Sequence, residues 1–394
     1  MHFVWLQDVE AEHILAWLTG LYRFPHTPHR PRVDRPAPLG LSEGIIVAYV
    51  LQTVSCRFRK LVEQVGFWRQ VEFDAGEEDP TNLDANLRKH LRQHPAEGVS
   101  FKGWRIDDHI YLQPSTLSVL AETGNVRTLE ICNRDDALVT LDLDPLPLEG
   151  ALASIAVWGR LTAFQAYGVD GDVLLSALAA CPLTALTFGV SRGDLRVGMK
   201  VLASPGSRAR SSLAKVQLEG CDQIAEAAFV GLASLPRLQC LCLDEVRLAP
   251  GDIHALSGSK SLRMLELGGR NWTEEATEGA RETLNTFRTL AFPDLKVLSL
   301  TYVDIGLISD DVIPCVACPG LAALNIGYTD VTDAGCLALM SACPRLRLLD
   351  IEECDCVTEE QRVAMERGGI TLAEISPLFH YDDVEDVLHR TSHT

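Results

Sequence analysis

Through the second half of the chain, apolar positions recur in one short phrase, L-x-x-L-x-L-x-x-C. The clearest copy runs Leu346, Leu349, Ile351 and Cys354, with Arg347, Leu348, Asp350, Glu352 and Glu353 between them. The first position recurs at Leu213, Leu238, Leu262, Leu295, Leu321 and Leu346. The steps are about 25 residues, a length that holds one strand, one helix and a return. The step from Leu262 to Leu295 is longer and predicts an insertion around Trp272 to Arg288. Alternate residues of a strand share a face, so Leu349 and Ile351 are expected to point inward, and Leu348 and Asp350 outward. After the strand at Leu321, the segment Thr332 to Cys343 reads as a helix. Thr332 is its N-cap, Leu337, Met340 and Cys343 keep helical spacing, and Pro344 stops it.

Weaker copies precede these: Val126-x-x-Leu129-x-Ile131, Leu161-x-x-Phe164-x-Ala166 and Leu183-x-x-Leu186-x-Phe188. A copy at Leu138-x-x-Leu141-x-Leu143 follows Val126 too closely for a full repeat, so one of the two is a hairpin or a chance match. Ile370-x-x-Ala373-x-Ile375 would close the series. One such unit cannot bury its own apolar face, whereas stacked units form a continuous core. The pattern therefore predicts an α/β fold: a leucine-rich-repeat solenoid over residues 76–376, with a curved parallel sheet and convex helices. Such solenoids mostly offer binding surfaces, and no enzymatic activity is expected.

The cysteine at the turn adds a family likeness. Thr329-Asp330-Val331-Thr332-Asp333-Ala334-Gly335 through Cys354, and again Leu213 to Cys221, resemble the cysteine-containing leucine-rich repeats of F-box proteins. The resemblance covers roughly residues 120–376 and is clearest in the last half.

Residues 1–75 do not repeat, and two fragments stand out. In the first, Asp8 can cap a helix, Glu10 and Glu12 suit its positive N-terminal end, and Ile14, Leu15 and Leu18 form an apolar stripe. The second is Val54-Ser55-Cys56-Arg57-Phe58-Arg59-Lys60-Leu61, followed by Trp68. Together they resemble an F-box. Leu6, Asp8, Ile14, Leu15 and Leu18 fall on its opening pattern, while Gln7 stands where that family usually has proline. The second fragment matches its V-C-x-x-F/W-R-x-L. Between them, residues 20–40 carry Pro25, Pro28, Pro31, Pro36 and Pro38 among arginines, a composition that cannot build a core and reads as an insertion. The resemblance implies that Leu6, Val9, Ile14, Leu15 and Leu18 dock on the Skp-family adaptor of a cullin-RING ubiquitin ligase. Phe58, Leu61 and Trp68 would instead pack the module onto the first repeat. The plainer alternative is a helical cap on the solenoid.

Charge and composition narrow the partners. A net charge of −19 argues against nucleic acid and anionic membranes, and no apolar run reaches membrane-spanning length. The N-terminus lacks a basic region before an apolar stretch, so no secretory signal is expected. Of the twelve cysteines, Cys181, Cys318 and Cys343 fall at helix ends and Cys221 and Cys354 at repeat turns, which suits packing in a reduced cytosol or nucleus better than disulfides. Metal and nucleotide motifs fail. Cys315-x-x-Cys318 lacks a second pair, Cys240-x-Cys242 reads as surface cysteines, and Gly193-x4-Gly198 is followed by Met199 rather than lysine. No cofactor, metal or catalytic residue is predicted.

In the repeat register, the third, fifth, seventh and eighth positions are expected on the concave side. They give Glu219, Asp244, Glu245, Glu266, Tyr302, Tyr328, Asp350, Glu352 and Glu353, with Lys215 the main basic exception. A wall of carboxylates with two tyrosines suits a basic segment of a substrate protein. The acidic tail, residues 377–394, reads equally as a short capping helix or a disordered end. The F-box resemblance, set before such repeats, implies a non-enzymatic substrate-recognition subunit of an SCF-type (Skp–cullin–F-box) ligase in ubiquitin-dependent protein degradation. The alternative is a scaffold or inhibitor of ribonuclease-inhibitor type.

Overall fold

The structure is a computed structural model. It describes residues 70–74, 87–89, 91–92, 98–103, 119–120, 122, 126–133, 159–167, 171–189, 195–221, 224–246, 250–256, 258–268, 292, 294–300, 308–313, 318–375, 381 and 384–391. The N-terminal fragments with Leu6, Val9, Ile14, Leu15 and Leu18, the proline-rich run, the Leu138 copy, the Trp272 insertion and Tyr302 lie outside the described residues.

The chain divides into two compact units, residues 1–141 and 142–394. The division falls inside the array expected to be continuous from 76 to 376. In the first unit, strands β1 (Gln70–Asp74), β2 (Gly98–Gly103) and β3 (Thr128–Asn133) pair in parallel and in chain order. The Val126 copy is thus a real strand. Among the described residues, parallel pairing is seen from Gln70 onward. Neither β1 nor β2 carries the leucine phrase, which is why the repeat pattern missed them.

In the second unit, nine strands pair in parallel and in chain order. They are β4 (Ala163–Tyr167), β5 (Ala185–Gly189), β6 (Lys215–Glu219), β7 (Cys240–Asp244), β8 (Met264–Gly268), β9 (Val297–Ser299), β10 (Ala323–Asn325), β11 (Leu348–Asp350) and β12 (Thr371–Leu372). Strands β4 to β11 each fall where a repeat phrase predicts them, and the unit is a leucine-rich-repeat solenoid; β12 is one residue out of its phrase, pairing Thr371 rather than Leu372 with Leu348, so that Ala373 and Ile375, expected inward, join the outer face. Parallel neighbours need a crossover, and among the described residues helices supply six of them. These are α1 (Gly171–Leu178), α2 (Arg196–Leu202), α3 (Glu226–Ala233), α4 (Pro250–Leu256), α5 (Asp333–Ala342) and α6 (Glu359–Arg367). The phrase positions Leu213, Val216, Leu218, Leu238, Leu241, Leu243, Leu321, Leu324 and Ile326 are at most 1% exposed and form the interior.

Helix α5 confirms the predicted cap: Thr332 Oγ1 accepts the Ala334 N–H at 3.2 Å, and the helix stops before Pro344. Its buried face is Gly335, Cys336, Leu339 and Cys343, whereas Leu337 is 57% exposed. The expected stripe is thus rotated by one residue.

Successive repeats are also clamped at these caps. Asp310 accepts both the N–H (2.9 Å) and the hydroxyl (2.6 Å) of Thr332. One repeat on, Asp333 does the same for Thr358, at 2.8 Å for each bond. The turn cysteine serves a similar end, as Cys354 Sγ donates to the Ile326 carbonyl of the preceding repeat at 3.2 Å.

Candidate functional site

Strand register sets the predicted binding positions into columns across the outer face of the sheet. The third repeat position gives Lys215, Cys240, Met264, Val297, Ala323 and Leu348, with Thr371 paired to Leu348 at the end of the row. The fifth gives Gln217, Cys242, Glu266, Ser299, Asn325 and Asp350. The first column is largely apolar and the second largely polar. Both are covered where they were expected to lie open. Cys240, Cys242, Met264, Val297, Ala323 and Leu348 form one buried cluster with Ile375, Tyr381 and Val387, and Ala373, Val384 and Leu388 pack against it. Within the tail, Val384–Thr391 forms helix α7, whose Val384, Val387 and Leu388 lie on the sheet.

This corrects part of the predicted site. Glu266 and Asp350 are only 7% and 4% exposed, and Leu348, placed outward, is 2% exposed. Their side chains point away from the repeat interior as expected, but the returning C-terminal segment occupies the space in front of them. Cys240 and Cys242 are likewise buried rather than on the surface. Their sulfurs lie 3.8 Å apart, and the Cys240 hydrogen bond, burial and the nearby Glu266 raise the Cys242 pKa well above the usual thiol value. Burial also pushes Cys181 and Cys343 up to about 11, and Cys336 to about 12. These thiols stay protonated and act as packing groups, because the thiolate is the nucleophile and metal ligand. Among the described residues, no group of three or more His, Cys, Asp or Glu is placed to hold a metal ion.

Three polar side chains hold the segment by its main chain. Asp350 Oδ2 accepts the Ile375 N–H at 2.7 Å, and Asn325 Nδ2 donates to the Ile375 carbonyl at 3.1 Å. Lys215 Nζ donates to the Tyr381 carbonyl at 2.7 Å. Asn325 and Asp350 occupy the same position on adjacent strands and share a second role. Each Oδ1 accepts the N–H two residues on, from Gly327 at 2.9 Å and Glu352 at 3.0 Å. Burial raises the Asp350 pKa, and its bonds from Ile375 and Glu352 oppose that rise.

The remaining predicted residues gather at the rim, where the strands end. Glu219 and Asp244 are half-buried neighbours in register, and Glu245, Glu352 and Glu353 are exposed. Burial and then Glu245 raise the pKa of Asp244. Burial, Glu374, Asp350 and Glu353 raise that of Glu352. Glu245, half-buried Tyr328 and Glu353 share the eighth repeat position and have φ of 53°, 61° and 53°, in the left-handed region. Gly220 holds that position one repeat before Glu245, at φ 59°. Non-glycine residues there cost roughly 1–2 kcal/mol each.

One signal for the cover was present in the sequence. A third column reading Cys240, Met264, Val297, Ala323, Leu348 is too apolar for an open surface.

No family model matches the chain, and no curated protein matches it. Among solved structures, it is similar to a chain of the yeast Rad7 and Elc1 complex, with 16% identity over 93% of this chain and 92% of that one and a TM-score of 0.41. It is also similar to a chain of the TLR13–ssRNA13 complex, with 16% identity, 72% and 36% coverage and a TM-score of 0.45.

Proposed function

We propose that this chain is the substrate-recognition subunit of an SCF-type ubiquitin ligase acting in the cytosol or nucleus. The observation that carries the reading is the order of parts: the F-box-like fragments around Ile14 and Cys56 stand directly before an array of leucine-rich repeats. Leu6, Val9, Ile14, Leu15 and Leu18 would seat the Skp-family adaptor, and through it the cullin. The repeats would hold the substrate protein. No chemistry is required of the chain itself, since tethering raises the local concentration of substrate lysines at the partner ligase. With Glu266 and Asp350 closed off, a basic substrate segment would meet the rim of Glu219, Asp244, Glu245, Tyr328, Glu352 and Glu353.

The test is the double substitution Ile14→Asp with Leu18→Asp. Placing carboxylates in an apolar interface is costly, and the pair should abolish co-purification with the Skp-family adaptor while leaving the thermal melt of the repeats unchanged. Retained adaptor binding would sink the ligase reading. A collapsed melt would favour the helical cap.

A further inference from the structure

We propose that the outer face of the second unit is a peptide-binding groove, and that the C-terminal segment around Ile375, Tyr381 and Val387 is its ligand in cis. A partner segment of the same chemistry would displace it.

Three hydrogen bonds from the face reach the segment's main chain, at the Ile375 N–H, the Ile375 carbonyl and the Tyr381 carbonyl. Contacts of this kind accept any residue at the bonded position. They are how extended peptides are held in general, with affinity from the backbone and selectivity from side-chain sockets. The Asn325–Asp350 pair is matched to that task. On adjacent strands, equivalent positions carry an amide donor for the carbonyl and a carboxylate acceptor for the N–H of one residue. The sockets are the apolar column, which takes Ile375, Tyr381 and then Val384, Val387 and Leu388 from α7. The last three stand at i, i+3 and i+4, the anchor spacing of a helix laid in a groove.

The segment also sits where a displaceable ligand should. From Ile375 on it lies beyond β12, so its release leaves the described strand pairing intact, and its outward side is polar at Glu385 and His389. Tethering gives it a high effective concentration, so an outside competitor must match its sockets or arrive already tethered nearby. The partner this describes is a protein segment. It presents an aliphatic residue, then an aromatic one, then a short helix with apolar residues at i, i+3 and i+4. This goes beyond the ligase reading and does not need it, because release and capture are read on this chain with the adaptor absent.

The experiment uses the full chain. In the wild type, amide exchange should be at least tenfold faster through α7 than through β7, β10 and β11, because the segment opens without the repeats. A second measurement uses a fluorescent peptide of residues 373–391. Val387→Asp unseats the cis segment, so this variant should bind the peptide at least tenfold more tightly than the wild type. Adding Asn325→Asp should abolish most of that gain. It keeps the Oδ1 bond to the Gly327 N–H but turns a carboxylate oxygen toward the peptide carbonyl. Three results would overturn the proposal: α7 amides exchanging only with global unfolding, a Val387→Asp chain whose repeats melt with the tail, or a folded Val387→Asp chain that fails to take up the peptide.

Discussion

Replacing Asp350 by alanine isolates the grip of the sheet on the C-terminal segment. The carboxylate accepts two N–H groups, from Ile375 at 2.7 Å and from Glu352 at 3.0 Å. Ile375 is 4% exposed, so its N–H would lose a charged acceptor where water has little access. Such a loss costs about 1.5–3 kcal/mol. Glu352 is exposed, and its N–H can turn to water for roughly 0.5 kcal/mol. Relief of the buried carboxylate works the other way, since burial raises the Asp350 pKa. The balance is a local loss of about 2 kcal/mol, or roughly 30-fold in an opening equilibrium. The assay is amide exchange resolved along the chain. Faster exchange by about that factor is expected at Ile375 and through α7, with β4 to β8 unchanged. A single melting midpoint would be a poor substitute, because a chain of two compact units need not unfold in one step. An Ile375 amide accelerated less than threefold, or a uniform acceleration across all strands, would refute the reasoning.

Two further outcomes follow from the rim. Glu245→Gly should stabilise the second unit by about 0.5–1 kcal/mol in denaturant unfolding: relief of the left-handed backbone outweighs the extra chain entropy of glycine, and Gly220 already fills the equivalent place. A loss of stability would mean that the Glu245 side chain makes contacts worth more than the strain. The pH dependence is also set here, because Asp244, Asp350 and Glu352 all have raised pKa values. The folded chain therefore takes up these protons before the unfolded one. Their contribution is fully present below the unfolded carboxylate range and is lost as pH rises through the folded values. Between neutral pH and about 4.5, the stability of the second unit in denaturant unfolding should gain more on acidification in the wild type than in Asp350→Asn; identical slopes would remove Asp350 from the account.

The leucine phrase determined most of the second unit by itself. Its positions place β4 to β11, because a strand with leucines at alternate positions can bury them only against a helix of its own repeat. The Thr332 cap and the Pro344 stop are equally local, since each depends on groups within one turn of helix. The first two strands were not legible: Gln70–Asp74 and Gly98–Gly103 carry no leucine period, and only their pairing reveals them. The site was half legible. The sequence told which residues leave the repeat interior, since alternation along a strand is a backbone property. It did not tell what stands in front of them. That depends on a segment that reaches from Ile375 to Lys215, across 166 positions in the case of Tyr381. No local pattern encodes such a contact. Only the tertiary structure decided that Asp350 grips a main chain while Glu353 meets solvent, although both were read from one register as members of one carboxylate wall.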